Sequence, residues 1–102
     1  MNALVRQKTN DITALCARFR VKRLELFGSA ASGDFDAGKS DIDFLVEFLP
    51  LKQNEYADAY FGLLEELQKL LNAPIDLVMT RAIRNPYFLQ GIEKSRVVLY
   101  AA

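Results

Sequence analysis

The sequence predicts a small α/β (α+β) domain in which a mixed β-sheet is flanked by helices. Helical and strand-like apolar periodicities alternate along the 102 residues, without internal repeats or low-complexity segments. A helical stretch separates the second and third predicted strands, and such a crossover makes the two strands parallel. Hydrophobic residues make up 51% of the chain, enough for a packed core. We therefore expect a single domain spanning residues 1–102.

The first half of the chain predicts one helix and two strands. Residues 3–19 form the helix, because apolar residues recur on one face with a period of about 3.6 residues. That face consists of Ile12, Leu15, Cys16 and Phe19. Val21–Phe27 is a short strand, residues 33–40 form a polar loop, and Asp41–Phe48 is the second strand, which Pro50 ends.

The second half predicts a helix, a strand, a further helix and a final strand. Asn54 is expected to cap the helix Glu55–Leu71, and Ile75–Met79 is the third strand. Pro86 can open a last helix that runs to about Lys94. Arg96–Tyr100 then forms the final strand.

Two aspartates open the second strand and mark it as a candidate metal site. Asp41 and Asp43 point to the same side of the strand, whereas Ile42 and the following apolar residues point to the other. Two carboxylates about 4 Å apart repel by roughly 4 kcal/mol at an effective dielectric constant near 20. A hard divalent cation such as Mg²⁺ would relieve that repulsion. The alternative is a solvated strand start.

Small residues after the first strand predict a phosphate-binding turn. Gly28, Ser29 and Gly33 would allow backbone N–H groups to approach an anionic ligand. Asp76 stands near the start of the third strand, so a parallel arrangement would bring it to the same sheet edge as Asp41 and Asp43. The glycine turn reaches that edge only if the first strand runs antiparallel to the second.

These residues resemble a known family signature. The pattern G-S-x-A-x-G-D, a short loop and S-D-I-D-F-L-V are similar to the nucleotidyltransferases related to polymerase beta. The short chain, the late I-D-L-V and the segment beginning N-P-Y resemble the minimal nucleotidyltransferases, which are antitoxin partners of HEPN-type toxins. Ser32 stands where this family often carries an arginine.

The resemblance implies both a reaction and a partner. Asp41, Asp43 and Asp76 would bind metal and carry out catalysis, while Gly28 and Ser29 would bind the nucleotide phosphates. Two Mg²⁺ ions, or Mn²⁺ in their place, would support the transfer of AMP from ATP to a tyrosine hydroxyl of a co-encoded HEPN-type toxin. The two proteins would form a hetero-oligomer. The alternative is a weak or inactive transferase fold that neutralises its partner by contact alone.

Two other motif matches in the loop lack the sequence context that their chemistry requires. Residues 33–40 formally match the P-loop pattern, but a strand follows the loop where the mechanism requires a helix. The same stretch fails as a calcium loop, because Gly38 and Leu45 occupy positions that require oxygen ligands. Arg81 and Arg84 could contact phosphates or a partner protein, or simply face solvent.

Composition excludes several classes of function. Thirteen basic and thirteen acidic residues give zero net charge, so we expect no direct nucleic-acid binding. Cys16, the single cysteine, lies on an apolar helix face in a chain without histidine, and we interpret it as a packing residue. No signal peptide and no apolar run of transmembrane length is evident, so we expect a cytoplasmic protein without membrane contact.

Overall fold

The computed structural model describes residues 3–28, 41–80 and 96–102. Its helices are α1 (Ala3–Gln7), α2 (Thr9–Arg18) and α3 (Tyr56–Leu71), the last preceded by a 3₁₀ turn at Gln53–Glu55. Its strands are β1 (Val21–Phe27), β2 (Ile42–Phe48), β3 (Ile75–Met79) and β4 (Val97–Ala101). The predicted loop at 33–40 and the predicted helix at 86–94 lie outside the described residues. Within those residues, no helix is long and apolar enough to cross a membrane.

The four strands form one mixed sheet in the order β3-β2-β1-β4. β2 and β3 are parallel, with α3 as the connection between them, and β1 is antiparallel to both β2 and β4. The predicted α/β class, the parallel crossover and the antiparallel first strand are therefore confirmed. This topology brings the C-terminal end of β1 to the sheet edge where β2 and β3 begin.

One face of the sheet carries the hydrophobic core and the helices. The alternating residues Ile42, Phe44 and Val46 of β2 are fully buried there. They pack with residues of the helices and of β1, namely Val5, Ile12, Cys16, Leu24, Leu26, Leu63, Leu67 and Leu71. Burial raises the pKa of the Cys16 thiol to about 12, so Cys16 is a neutral packing residue, as predicted.

The opposite face of the sheet carries a smaller apolar cluster between polar groups. Phe27 and Leu45 are buried there, and Val78 packs against them. Asp43 and Asp76 share this face, because each stands two residues before a member of the cluster on its strand. We call this face the site face.

The predicted helix over residues 3–19 is two helices in the structure. Lys8 departs from helical geometry with ψ of 13° and separates α1 from α2. The Thr9 hydroxyl donates hydrogen bonds to the carbonyls of Val5 (3.1 Å) and Arg6 (2.9 Å), so it competes for acceptors of the last turn of α1. The apolar period continues through this break, which is why periodicity alone did not show it.

The predicted capping role of Asn54 is wrong. The Lys52 backbone N–H donates to Glu55 Oε1 (3.0 Å), and the Glu55 N–H donates to the Lys52 carbonyl (2.9 Å). This reciprocal pair starts the 3₁₀ turn that leads into α3, and Asn54 lies inside the turn. The hydrogen bond from the Lys52 N–H lowers the pKa of the Glu55 carboxyl most, and the hydrogen bond from the Arg20 guanidinium lowers it further.

A glycine in the middle of α3 is explained by its contact with α2. Glycine costs about 1 kcal/mol relative to alanine at an interior helix position. A Cβ atom added at Gly62 would lie 2.5 Å from Cε1 of Phe19, inside contact distance. Gly62 therefore lets the Phe19 ring lie directly against the backbone of α3.

We predict that Gly62→Ala destabilises the protein although alanine is the better helix former. In a Phe19→Ala background the ring is gone, and the same change should stabilise by up to about 1 kcal/mol. Urea unfolding of the four proteins of this double-mutant cycle measures both signs. Stabilisation by Gly62→Ala in the wild-type background would show that the Phe19 ring does not exclude a side chain.

Candidate active site

Two aspartates lie side by side on the parallel strands β2 and β3. Asp43 of β2 is the register partner of Asp76 on β3 and, on its other side, of Phe27 on β1. Asp43 is partly buried, whereas Asp76 and Asp41, which immediately precedes β2, are exposed. Burial raises the pKa of the Asp43 carboxyl most, followed by the charge of Asp76 and then by that of Asp41. Negative charge is therefore concentrated at this edge of the site face.

The chemistry of this cluster fits a hard divalent cation. Carboxylate oxygens are the ligands that Mg²⁺ prefers, and a cation would offset the repulsion that disfavours the charged form of Asp43. Among the described residues, however, no three His, Cys, Asp or Glu side chains are placed to hold a metal ion together. Mg²⁺ is commonly bound through one or two carboxylates together with substrate phosphates, so the arrangement fits a metal that arrives with a nucleotide.

Gly28 is held against the Asp43 carboxylate. Its φ angle is +70°, in the left-handed region that favours glycine. A Cβ atom at this position would lie 2.6 Å from Asp43 Oδ2. Two independent constraints therefore require glycine at the end of β1, and the second places the backbone of Gly28 beside the Asp43 carboxylate.

The structure brings together four of the five predicted site residues. Gly28, Asp43 and Asp76 are neighbours, and Asp41 is close enough to act on the pKa of Asp43. Ser29 lies outside the described residues. The same is true of Ser32, Arg81 and Arg84, which the sequence also singled out. Their roles, like the catalytic roles of the aspartates, stay predictions.

The site face carries a second polar group that the sequence pattern did not indicate. Glu25, in the middle of β1, is only 3% exposed, and its Oε1 lies 2.5 Å from Arg23 Nε. Among the described residues its Oε2 has no hydrogen-bond partner, and it lies 3.6 Å from Arg96 Nε. A glutamate between Leu24 and Leu26 suggests an ordinary solvent-facing strand position. The missing information was that β4 pairs with β1 and makes it an interior strand.

The fold agrees with what known proteins show. The nucleotidyltransferase domain family matches residues 12–99 of this chain, and the chain therefore belongs to that family. The predicted class of enzyme, a nucleotidyltransferase, is confirmed. A protein of Methanocaldococcus jannaschii, named as a candidate protein adenylyltransferase, is 38% identical over 82 residues, which are 78% of each chain.

Two solved structures share the architecture. A toxin–antitoxin complex with AMP-PNP matches with a TM-score of 0.70 and 25% identity, over 92% of this chain and 73% of that chain. A complex from Shewanella oneidensis, of a tri-AMPylated HEPN toxin with an MNT antitoxin, matches with a TM-score of 0.64 over 95% and 72% of the two chains. Its identity is 22%, so this second likeness is one of fold.

We predict that Asp43→Asn raises the melting temperature of the metal-free protein at neutral pH. The change removes a carboxylate charge that burial, Asp76 and Asp41 all disfavour. The raised pKa means that the folded state holds the Asp43 proton more tightly than the unfolded state. The penalty is therefore absent below the unfolded-state pKa and grows as the pH rises through the folded-state pKa. We expect a rise of about 2–4 °C at pH 7, measured by thermal unfolding in EDTA.

The matched control for this prediction is Glu66→Gln on α3, which also removes one carboxylate charge but lies on a helix rather than at the sheet edge. It should leave the melting temperature nearly unchanged. The gain from Asp43→Asn should shrink as the pH is lowered through the folded-state pKa of Asp43. A gain of equal size at all pH values would mean that charge is not its cause.

We predict that Gly28→Ala destabilises the protein and that Asp43 is part of the reason. A left-handed conformation costs a residue with a Cβ atom about 1–2 kcal/mol, and the contact with Asp43 Oδ2 adds to this cost. In an Asp43→Ala background the second contribution disappears, so Gly28→Ala should cost less there. Equal costs in both backgrounds, measured by urea unfolding, would show that the backbone and the carboxylate are not in contact.

Proposed function

We propose that this protein transfers AMP from ATP to a tyrosine hydroxyl of a co-encoded HEPN-type toxin and thereby neutralises it. The observation that carries the proposal is the pairing of Asp43 with Asp76 beside the backbone of Gly28. It puts a carboxylate pair next to the turn predicted to bind phosphate, as nucleotidyl transfer requires. Membership of the nucleotidyltransferase family and the relative named as a candidate protein adenylyltransferase support the reaction.

The partner class rests on different support. The toxin–antitoxin complex with AMP-PNP is a structural neighbour at 25% identity, and it combines a nucleotide analogue with a protein partner. The HEPN class of the toxin comes from the resemblance of the sequence to the minimal nucleotidyltransferases. We propose a hetero-oligomer of the two proteins. Because the reaction consumes ATP, we place it in the cytoplasm, and we assign it to a single domain over residues 1–102.

The residues of the site have distinct roles in the proposed reaction. Asp41 and Asp43 would hold Mg²⁺, or Mn²⁺, together with the triphosphate, and Asp76 would help to bind a second ion. The chemistry supplied there would be charge stabilisation of the attacking and leaving oxygens of an in-line displacement. Gly28 offers close approach to its backbone, and the Ser29 hydroxyl binds the β- and γ-phosphates.

The proposed bond changes balance without a further reactant. The acceptor oxygen forms a bond to the α-phosphorus of ATP, and the bond from that phosphorus to the bridging oxygen breaks. Pyrophosphate leaves, and Asp76 orients or accepts the proton of the acceptor hydroxyl. Asp76 flanks Asp43 on β3, on the side opposite to Gly28 of β1, where it is available to an acceptor hydroxyl.

An open site favours a protein acceptor over a small molecule. Asp76 and Asp41 are exposed, so the described residues surround only part of a substrate at this edge. Ligand pockets normally bury most of a small molecule. A protein acceptor can supply the remaining walls and orient its own hydroxyl, which turns docking into effective concentration at the site.

We predict efficient transfer to the co-encoded toxin and negligible transfer to free tyrosine, aminoglycosides or RNA ends. The measurement is mass spectrometry of the toxin after incubation with this protein, Mg²⁺ and ATP, in search of one or more added AMP units. Asp43→Asn should still bind the toxin but should leave it unmodified, because the carboxylate is lost while the docking surface is kept. Omission of the divalent ion should have the same effect.

The rival function, neutralisation by contact alone, predicts a different result. An unmodified toxin that wild type and Asp43→Asn neutralise equally well would overturn the enzymatic proposal and favour the binding module.

A further inference from the structure

We propose that Tyr60 on α3 is a positioning residue for Asp76, because its hydroxyl fixes the backbone that carries this carboxylate. This inference rests on the proposed function, since it names a residue that supports the same site. Tyr60 packs against the core on the helix side of the sheet. It therefore acts through the backbone of β3 and not on the substrate.

The Tyr60 hydroxyl connects α3 to β3 one residue after Asp76. It donates a hydrogen bond of 2.6 Å to the carbonyl of Leu77. The Tyr60 ring is partly buried against the core, and it meets the ring of Phe61 edge-on with 5.0 Å between the ring centroids. Because this packing holds the ring, the hydroxyl occupies a defined position beside β3.

The direction of the Leu77 carbonyl explains why β3 needs this donor. The N–H of Ile42 on β2 donates to the carbonyl of Pro74 (3.0 Å), so that carbonyl faces β2. Carbonyls alternate in direction along a strand, so the carbonyl of Asp76 also faces β2 and that of Leu77 faces away. In the described sheet β3 is an edge strand, and no strand there offers a donor to Leu77. Tyr60 supplies it.

The backbone at Asp76 is thus held from two directions. Before Asp76, the Pro74 carbonyl is bound to β2, and after it, the Leu77 carbonyl is bound to α3. The side chain of Leu77, only 3% exposed, anchors the same residue in the core. Since β3 has only five residues, loss of the bond to Tyr60 removes a large part of what fixes the strand.

The repulsion between the aspartates gives this bond its importance. The charge of Asp76 acts on Asp43, its register partner, and raises the pKa of that carboxyl. β2 lies between β1 and β3, whereas β3 has a neighbour on one side only among the described strands. The repulsion therefore shifts β3 more readily than β2. Misplacement of a catalytic group by about 1 Å can slow a reaction about a hundredfold.

The first test is Tyr60→Phe, which removes the hydroxyl and keeps the ring. We expect kcat for AMP transfer to the co-encoded toxin to fall about tenfold, because Asp76 is held less precisely. The KM values for ATP and for the toxin should stay within about twofold of wild type. Such a loss in kcat alone is the result expected when the affected group acts in the reaction step and not in binding.

The matched control is Tyr56→Phe, which removes a hydroxyl from the same helix. The Tyr56 hydroxyl accepts a hydrogen bond from the Leu51 N–H (3.2 Å), and its ring contacts Phe48 at the end of β2 opposite to Asp43. Both variants should lower the melting temperature by about 4–8 °C. Only Tyr60→Phe should lower kcat. An equal loss of kcat in the two variants, or wild-type kcat in a folded Tyr60→Phe protein, would overturn the proposal.

The second test needs no toxin and asks whether Tyr60 acts through Asp76. Mn²⁺ is titrated in the presence of AMP-PNP and followed by electron paramagnetic resonance. Tyr60→Phe should weaken Mn²⁺ binding about threefold in the wild-type background, but less than about 1.5-fold in an Asp76→Asn background. There the carboxylate that Tyr60 positions is already gone. Equal weakening in both backgrounds would show that Tyr60 does not act through Asp76.

The two tests separate failure of this inference from failure of the proposed function. If wild type binds Mn²⁺ with AMP-PNP but leaves the toxin unmodified, the proposed function fails, and the Mn²⁺ titrations alone decide whether Tyr60 positions Asp76. If wild type modifies the toxin and Tyr60→Phe matches it in kcat and in Mn²⁺ affinity, only the role of Tyr60 is refuted. Wild type that binds no Mn²⁺ would overturn both.

Discussion

The site depends on holding two like charges on adjacent strands. Asp43 faces Asp76 in register across β2 and β3, and the Gly28 backbone presses against the Asp43 carboxylate. The repulsion is visible in the raised pKa of Asp43, to which burial, Asp76 and Asp41 all contribute. A fold free to relax would separate these groups. They stay together because β2 and β3 are fixed by their packing into the hydrophobic core. The free energy of that packing offsets the repulsion between the carboxylates on the site face.

The same sheet therefore serves two purposes through its two faces. Alternation along β2 sends Ile42, Phe44 and Val46 into the core and leaves Asp43 on the site face. The parallel crossover through α3 aligns the starts of β2 and β3, and the antiparallel β1 delivers Gly28 to that edge. β4 pairs with the other side of β1, and Arg96, just before β4, lies 3.6 Å from the buried carboxylate of Glu25. The paired carboxylates and the neighbouring backbone of Gly28 therefore follow from one topology.

Much of this arrangement was predictable from the sequence, because local signals and topology agreed. Val21–Phe27 and Ile75–Met79 have the predicted bounds, and the D-I-D alternation correctly assigned the two faces of β2. The break at Lys8 could not be predicted, since the apolar period runs through it. Glu25 was missed for a different reason: its carboxylate lies 3.6 Å from Arg96, a contact between distant parts of the chain that no local pattern encodes.

The central claim is that Asp43 and Asp76, beside Gly28, form a divalent-cation site completed by a nucleotide. The most direct measurement is titration of Mn²⁺ into the protein, followed by electron paramagnetic resonance, with and without AMP-PNP. The account predicts that the nucleotide analogue strengthens Mn²⁺ binding, and that Asp43→Asn and Asp76→Asn each weaken it at least about tenfold. Mn²⁺ binding by both variants with wild-type affinity, in the presence of AMP-PNP, would contradict the account.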